Sequence, residues 1–396
     1  MSGQQVAAIP PQPEPALLLE GVRADRDPRQ LRALAQGPIN WDLVQRTALQ
    51  QGVLPTLYQR LAAHCADEVP AAVMASLAGA FHQIALHNRL LAEELIALLD
   101  LLGDRGIAAL PFKGPTLALT AYGGLSQRQF GDLDLLVQHQ DLAGALAALE
   151  ERGYRRFAQI AKGEFAPFPA LTPAQRRWHR THYHEHELMH PQGFAVDLHW
   201  ELLEARYWFR PRPDQFWADS QALTLAERSV PSPATEALLY LVVAHGTKGC
   251  WKKLGWLLDL DRLIRRHPGL DWDRVCAHAR AVRGEGVLRY ALARTVTLLG
   301  TPLPESMRHF AFAQPWQRLA CDGGTRRFDS LCTSSWDRLV FVARANFSTG
   351  VPAFVRTPYP DPLFFLYYLA GPRRRLGRLV SQVKRRLSPG APPVGD

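Results

Sequence analysis

Residues 111–137 read PFKGPTLALTAYGGLSQRQFGDLDLLV. Asp132 and Asp134 stand one residue apart in an otherwise apolar run, and Lys113-Gly114 breaks a second such run upstream. On a strand, residues two apart share a face, so the two carboxylates point one way while Leu133, Leu135 and Val137 point the other, toward a core. Like charges side by side disfavour a strand. A divalent cation reverses that penalty, and Mg²⁺ favours one or two protein carboxylates completed by phosphate oxygens and water. The pair alone also fits the polar outer face of an antiparallel strand.

The upstream break supplies the second half of the pattern. Ile107–Phe112 reads as a short buried strand, and Pro115, a residue favoured at the first turn of a helix, opens a helix to Tyr122. Gly114 between them lets backbone N–H groups approach an anion at a helix N-terminus. Lys113 adds a point charge and Thr116 a hydroxyl. Arg128, four residues before Asp132, has three readings: a phosphate contact, an ion pair with Asp132 or Asp134, or a plain surface arginine. A later stretch, Val196–Trp200 (VDLHW), places Asp197 mid-strand among apolar neighbours with His199 on the same face. Asp197 is the candidate third carboxylate of a metal site.

Around these motifs the chain divides by pattern. Residues 1–15 form a polar, Pro-rich tail that reads as disordered. Residues 16–80 are helical, with Pro55 interrupting the pattern. A long amphipathic helix, Phe81–Leu102, opens a core over 81–210. Within it Phe130–Val137 is a strand, Asp141–Arg152 a helix and Tyr154–Ile160 a third strand. After a Pro-rich loop, HYHEHELMH and FAVDLHW form a hairpin. Residues 211–360 read as a second helical domain, and 361–396 as a basic helix and tail. The expected fold class is α+β, a small mixed sheet flanked by helical regions.

The hairpin admits two registers. A three-residue loop, Pro191–Gly193, pairs Glu187 with Asp197 and Glu185 with His199; a four-residue loop sets His186 opposite Asp197. His182, His184, His186 and His190 would line one strand face, although zinc sites more often use cysteines or helix-spaced histidines. In the later helices His245 and Lys248 share a face, from which they either reach nucleotide phosphates or cap the break at Gly246–Gly249. Trp251 and Trp256 read as core residues.

The chain has 396 residues and a formal charge of +9, a weak pointer to anionic partners. Lysines number only six, so Lys113 and Lys248 are not casual surface choices. Five dispersed cysteines without a CxxC fit free thiols in a reducing compartment. With no signal-peptide pattern and no apolar run of membrane length, a cytoplasmic protein is expected. The basic stretch with Arg373, Arg374, Arg375, Arg378, Arg385 and Arg386 offers peripheral contact with anionic lipid. No nucleic-acid-binding motif accompanies the positive charge.

Taken together, the glycine turn, the DxD strand and a third carboxylate on a later strand resemble the nucleotidyltransferase superfamily related to DNA polymerase β. The nearer resemblance is to a bacterial branch of uncharacterised "nucleotidyltransferase family proteins", with a KG turn, an R…DLDLLV strand and a vDlHw strand. It extends from NWDLVQRTALQQGVLPTLYQRL to AHGTKGCWKKLGWLLDLDRLI, roughly Ile39 to Arg266, the latter stretch carrying His245, Lys248, Trp251 and Asp259. The resemblance implies Mg²⁺ (or Mn²⁺) held by Asp132, Asp134 and Asp197, and a triphosphate donor, ATP by default, gripped by Lys113, Gly114 and Arg128. The superfamily's Gly-Ser serine is absent, so that grip falls to Lys113, Thr116 or backbone amides. The implied reaction is transfer of a nucleotidyl group, AMP by default, to a hydroxyl on a sugar, small metabolite, peptide or protein. Two alternatives stand beside it: a non-catalytic nucleotide- or partner-binding module, which the retention of three carboxylates disfavours, and kinase-like γ-phosphoryl transfer.

Overall fold

The computed structural model describes residues 13–25, 27–161, 164–313 and 350–368. Its centre is a six-stranded sheet with the order β1-β2-β6-β5-β3-β4. The strands are β1 (Ala109–Pro111), β2 (Asp132–Val137), β3 (Arg155–Ala161), β4 (Glu164–Pro167), β5 (Glu185–Met189) and β6 (Ala195–His199). β2 and β6 run parallel, and every other pairing in the sheet is antiparallel. The expected mixed sheet is therefore present, and its one parallel pair joins the two carboxylate-bearing strands.

Apolar alternation fixes which face each strand presents. Leu133, Leu135 and Val137 are buried with Val196, Leu198 and Trp200 in one core. That core is closed by α7 (Leu142–Glu151) through Leu142, Ala145, Ala148 and Leu149. Burying each of the three β2 side chains contributes about 1.5–3 kcal/mol, enough to hold the strand in register against the repulsion of Asp132 and Asp134. The opposite face, with Leu110, Phe112 and Leu136, joins a larger helical core built from the N-terminal helices and from residues between Leu202 and Ala311.

The N-terminal helices are α1 (Pro13–Val22), α2 (Pro28–Ala35), α3 (Trp41–Gln51), α4 (Leu54–His64) and α5 (Ala71–Gly103). The break between α3 and α4 falls at Gly52, left-handed at φ +70°, while Pro55 sits in the first turn of α4. α5 starts ten residues before the expected Phe81 and crosses the expected boundary at residue 80. α6 (Gly114–Leu117) continues into a π-helical turn, Ala118–Tyr122. After α8 (Pro173–His182) and α9 (Pro213–Ala218), the helical region contains α10 (Thr235–Lys248), α11 (Leu254–Arg266), α12 (Trp272–Ala281), α13 (Glu285–Leu299) and α14 (Glu305–Phe312).

Three elements depart from the sequence pattern. The start of the Pro-rich stretch expected as a loop over Phe165–Pro173 lies in edge strand β4, and a hairpin, β7 (Ser220–Leu225) and β8 (Arg228–Pro233), interrupts the helical region. Prolines mark edge positions rather than absence of a strand. The β7–β8 turn uses Ala226 and Glu227 at φ 46° and 66°, without the Gly or Asn that announces such a turn. Helix α1 begins inside the expected tail; the rest of that tail and the Arg373–Arg386 stretch lie outside the described residues. No helix among the described residues is long and apolar enough to cross a membrane.

Candidate active site

The parallel pairing of β2 and β6 sets Asp134 opposite Asp197 and Leu136 opposite His199. The β5–β6 hairpin closes through His190 N–H donating to Phe194 O at 2.8 Å, which leaves a three-residue loop. Glu187 consequently faces Asp197 and Glu185 faces His199. Of the two registers open from sequence, the glutamate one is realised. Asp132, Asp134, Glu185, Glu187, Asp197 and His199 share one face of three adjacent strands.

Lys113 sits at the edge of this face, at the N-cap of α6, and its Nζ donates to Asp134 Oδ1 at 2.6 Å. His199 Nε2 lies 3.1 Å from the same oxygen and 3.2 Å from Glu185 Oε2. The chain of contacts continues from Glu185 to His184 Nε2 at 3.1 Å, then to Lys248 Nζ at 3.1 Å, which is also 3.5 Å from Glu204. Burial raises the Asp134 carboxyl, but Lys113 and His199 outweigh it and hold the group well below the usual range. Asp197 has no such ion-pair partner among the described residues. Burial, reinforced by Glu185, Asp134 and Asp132, pushes it well above that range. Solvent reaches Asp132 at the strand start, yet desolvation by the surrounding protein and the neighbouring Asp134 raise it too.

Gly114 is required by geometry. It adopts φ +50°, and a Cβ there would stand 3.0 Å from the Asp132 carbonyl oxygen. Gly114→Ala is expected to cost about 1–3 kcal/mol in urea unfolding, because left-handed strain and the close approach act together. The Thr116 hydroxyl is buried and donates to Lys113 O at 2.7 Å, bracing the turn rather than facing outward.

Arg128 pairs with neither Asp132 nor Asp134. Its Nε and Nη2 meet Asp259 of α11 at 2.8 and 3.1 Å, and Tyr122 donates to the same carboxylate at 2.7 Å. Its Nη1 is buried without a partner among the described residues. From α10, Lys248 enters the site as described and His245 lies close enough for Lys113, Lys248 and Asp134 to act on it. Burial first, then the two lysines, hold the His245 imidazole well below its usual range, so it is neutral. The His245 ring also meets Trp256 edge-on at 5.3 Å, while Trp251 is core, packed where Gly246 has no side chain.

The histidines do not line one strand face. α8 runs through His182, so His179 and His182 are helical, and β5 begins only at Glu185. His184 turns to the acidic face, His190 packs on Tyr154, and His186 points through the opposite face to stack on His179 at 4.9 Å. Burial and nearby charge hold His179 at about 4 and His186 at about 2. An unfolded histidine protonates near 6.5, so the contribution of these two histidines should be flat above that pH. It should fall as pH drops from 6.5 toward 4, by up to about 1.4 kcal/mol per unit for each histidine. Urea midpoints of wild type and His186→Leu between pH 7.5 and 4.5 check this; the variant should show the shallower decline.

The acidic face suits a divalent cation. Donor atoms of Asp134, Asp197 and His199 lie within 4.8 Å of one another, as do those of His184, Glu185 and His199. Asp134 Oδ2 is buried with no hydrogen-bond partner among the described residues, an open acceptor that a cation would satisfy. The sequence singles out Asp259 only as part of the trailing helical stretch, with nothing to tie it to Arg128, and gives no signal for Glu204.

Among solved structures, the chain is similar to the lincomycin-bound lincosamide antibiotic adenylyltransferase LnuA, at 17% identity over 43% of this chain and 94% of that one, with a TM-score of 0.29. It is also similar to an antigenic nucleotidyltransferase-like protein from Paracoccidioides brasiliensis, at 15% identity over 52% and 92% of the two chains, with a TM-score of 0.30. No curated protein matches the chain. The family model described as "Uncharacterised nucleotidyltransferase" matches residues 37–300, spanning both carboxylate strands, the Lys113-Gly114 turn and the α10–α11 helices that carry Lys248 and Asp259, and the chain belongs to that family.

Proposed function

We propose that this nucleotidyltransferase moves a nucleotidyl group, AMP from ATP by default, to a hydroxyl acceptor with the help of Mg²⁺ or Mn²⁺. The observation that carries the reading is the register of Asp134 against Asp197 on parallel strands, with Asp132 beside them and the Gly114 turn against the Asp132 backbone. Asp132, Asp134 and Asp197 would hold the ion, which when bound neutralises the triphosphate and polarises the α-phosphorus. Lys113 and the amides near Gly114 meet the β- and γ-phosphates. Asp197, opposite Asp134 across the parallel pair, takes the acceptor's hydroxyl proton. The acceptor oxygen bonds to the α-phosphorus as the bond to pyrophosphate breaks. Arg128 serves chiefly to fix the loop before β2 through its pair with Asp259.

The test uses ATP labelled at the α-phosphate, incubated with Mg²⁺ and fractionated cell extract. Label should pass to an acceptor with release of pyrophosphate. Transfer of γ-label with release of ADP would overturn the reading in favour of phosphoryl transfer. ATP binding without transfer of either label would favour the non-catalytic module.

A further inference from the structure

We propose that a cavity on the opposite side of the sheet from the acidic face is a binding site for a small planar organic anion. The cavity encloses about 560 Å³ between α7, α8, the loop at 168–173 and the back of β3 and β5. That volume accommodates a single small molecule. Its position follows from register: His186 pairs with Leu198 and Arg156 with Leu188, the face opposite to Glu185, Glu187 and Asp197. The sheet separates it from the carboxylates.

Three observations define the ligand. The first is charge. Arg156, Arg176, Arg177 and Arg180 line the cavity and no carboxylate does. Arg156 is paired with Glu150 at 2.7 Å and Arg176 donates to Leu171 O, whereas Arg177 and Arg180 have no acidic partner among the described residues. Such a rim selects an acidic group. The second is unmet hydrogen bonding. His186, only 8% exposed, lines the cavity, and its Nδ1 is buried with no hydrogen-bond partner among the described residues. Buried polar groups are ordinarily satisfied, so this nitrogen points to a partner carried by a ligand. The third is the wall. Phe168 meets both imidazoles edge-on at 5.1–5.3 Å, and Trp200 lies 5.1 Å from His186, giving aromatic surfaces suited to a flat ring. The Arg373–Arg386 stretch of this chain has the same charge sign as the rim and is not complementary to it.

Anilinonaphthalene sulfonate, an acidic group on a planar ring, is the probe. One molecule per chain should bind with enhanced fluorescence, more weakly as salt rises. Arg177→Glu with Arg180→Glu should lower the affinity about tenfold or more, since both charges reverse at an exposed rim without disturbing the core. His186→Phe, which keeps the ring and removes its nitrogens, should also weaken binding. Asp132→Asn should leave it unchanged, which separates this site from the proposed reaction. Unaltered affinity in the arginine double variant, with wild-type melting, would overturn the proposal, as would the absence of saturable binding to the wild-type chain.

Discussion

Asp132→Asn should lower α-label transfer by about a hundredfold or more while leaving the fold intact or slightly stabilised. On the proposed reaction, losing a carboxylate that would hold the cation forfeits several kcal/mol of charge stabilisation at the reacting phosphate, and each 1.36 kcal/mol is about tenfold in rate. The fold should not suffer, because Asp132 is solvent-exposed and makes no ion pair among the described residues, and its neighbour Asp134 repels it. Asp134→Asn is the poorer test. It too should abolish transfer, but it removes the buried counter-ion of Lys113 and a partner of His199, and breaking such a pair costs about 3–5 kcal/mol. Activity and thermal unfolding measured together separate the two effects. Full transfer by a folded Asp132→Asn chain would remove Asp132 from the mechanism.

Much of this arrangement was legible in the sequence. The period-two alternation around Asp132 and Asp134, and again around Asp197, assigns all three carboxylates to the face opposite Leu133, Leu135 and Leu198, because a strand allows only two directions. The pairing of β2 with β6 needed the fold, since sixty intervening residues give no local signal of which strand lies beside which. The hairpin register was narrowed to two choices by the length of one loop, and the backbone closure at His190 and Phe194 selects one. That single step exchanged histidines for Glu185 and Glu187 beside Asp197. The histidine run misled because α8 continues to His182; its capping box at Thr172 and Gln175 lies in a stretch that reads as a Pro-rich loop. Arg128 was read locally, against acids four and six residues away, whereas its partner is on a helix more than a hundred residues later.

That long-range pair yields the second large effect. Asp259→Ala should destabilise the chain by about 3–5 kcal/mol, more than most single substitutions. The Arg128 side chain is 13% exposed and Asp259 7%, so removing the carboxylate strands a guanidinium in a site with little access to water. Burial opposes that charge, and Asp259 is what outweighs it in the folded protein. The Tyr122 hydroxyl would lose its acceptor as well. Arg128→Ala should cost less, because Asp259 keeps the Tyr122 hydrogen bond, and the double variant should cost less than the sum of the two. Denaturant unfolding of the four proteins gives the coupling directly. If Arg128 served the nucleotide alone, Arg128→Ala would weaken ATP binding and leave unfolding untouched, and the coupling would vanish. A large coupling, with ATP binding weakened by Asp259→Ala as well, is the outcome expected of a pair that ties α11 to the loop ahead of β2. It would make α11 part of the apparatus that holds Asp132 and Asp134 in place.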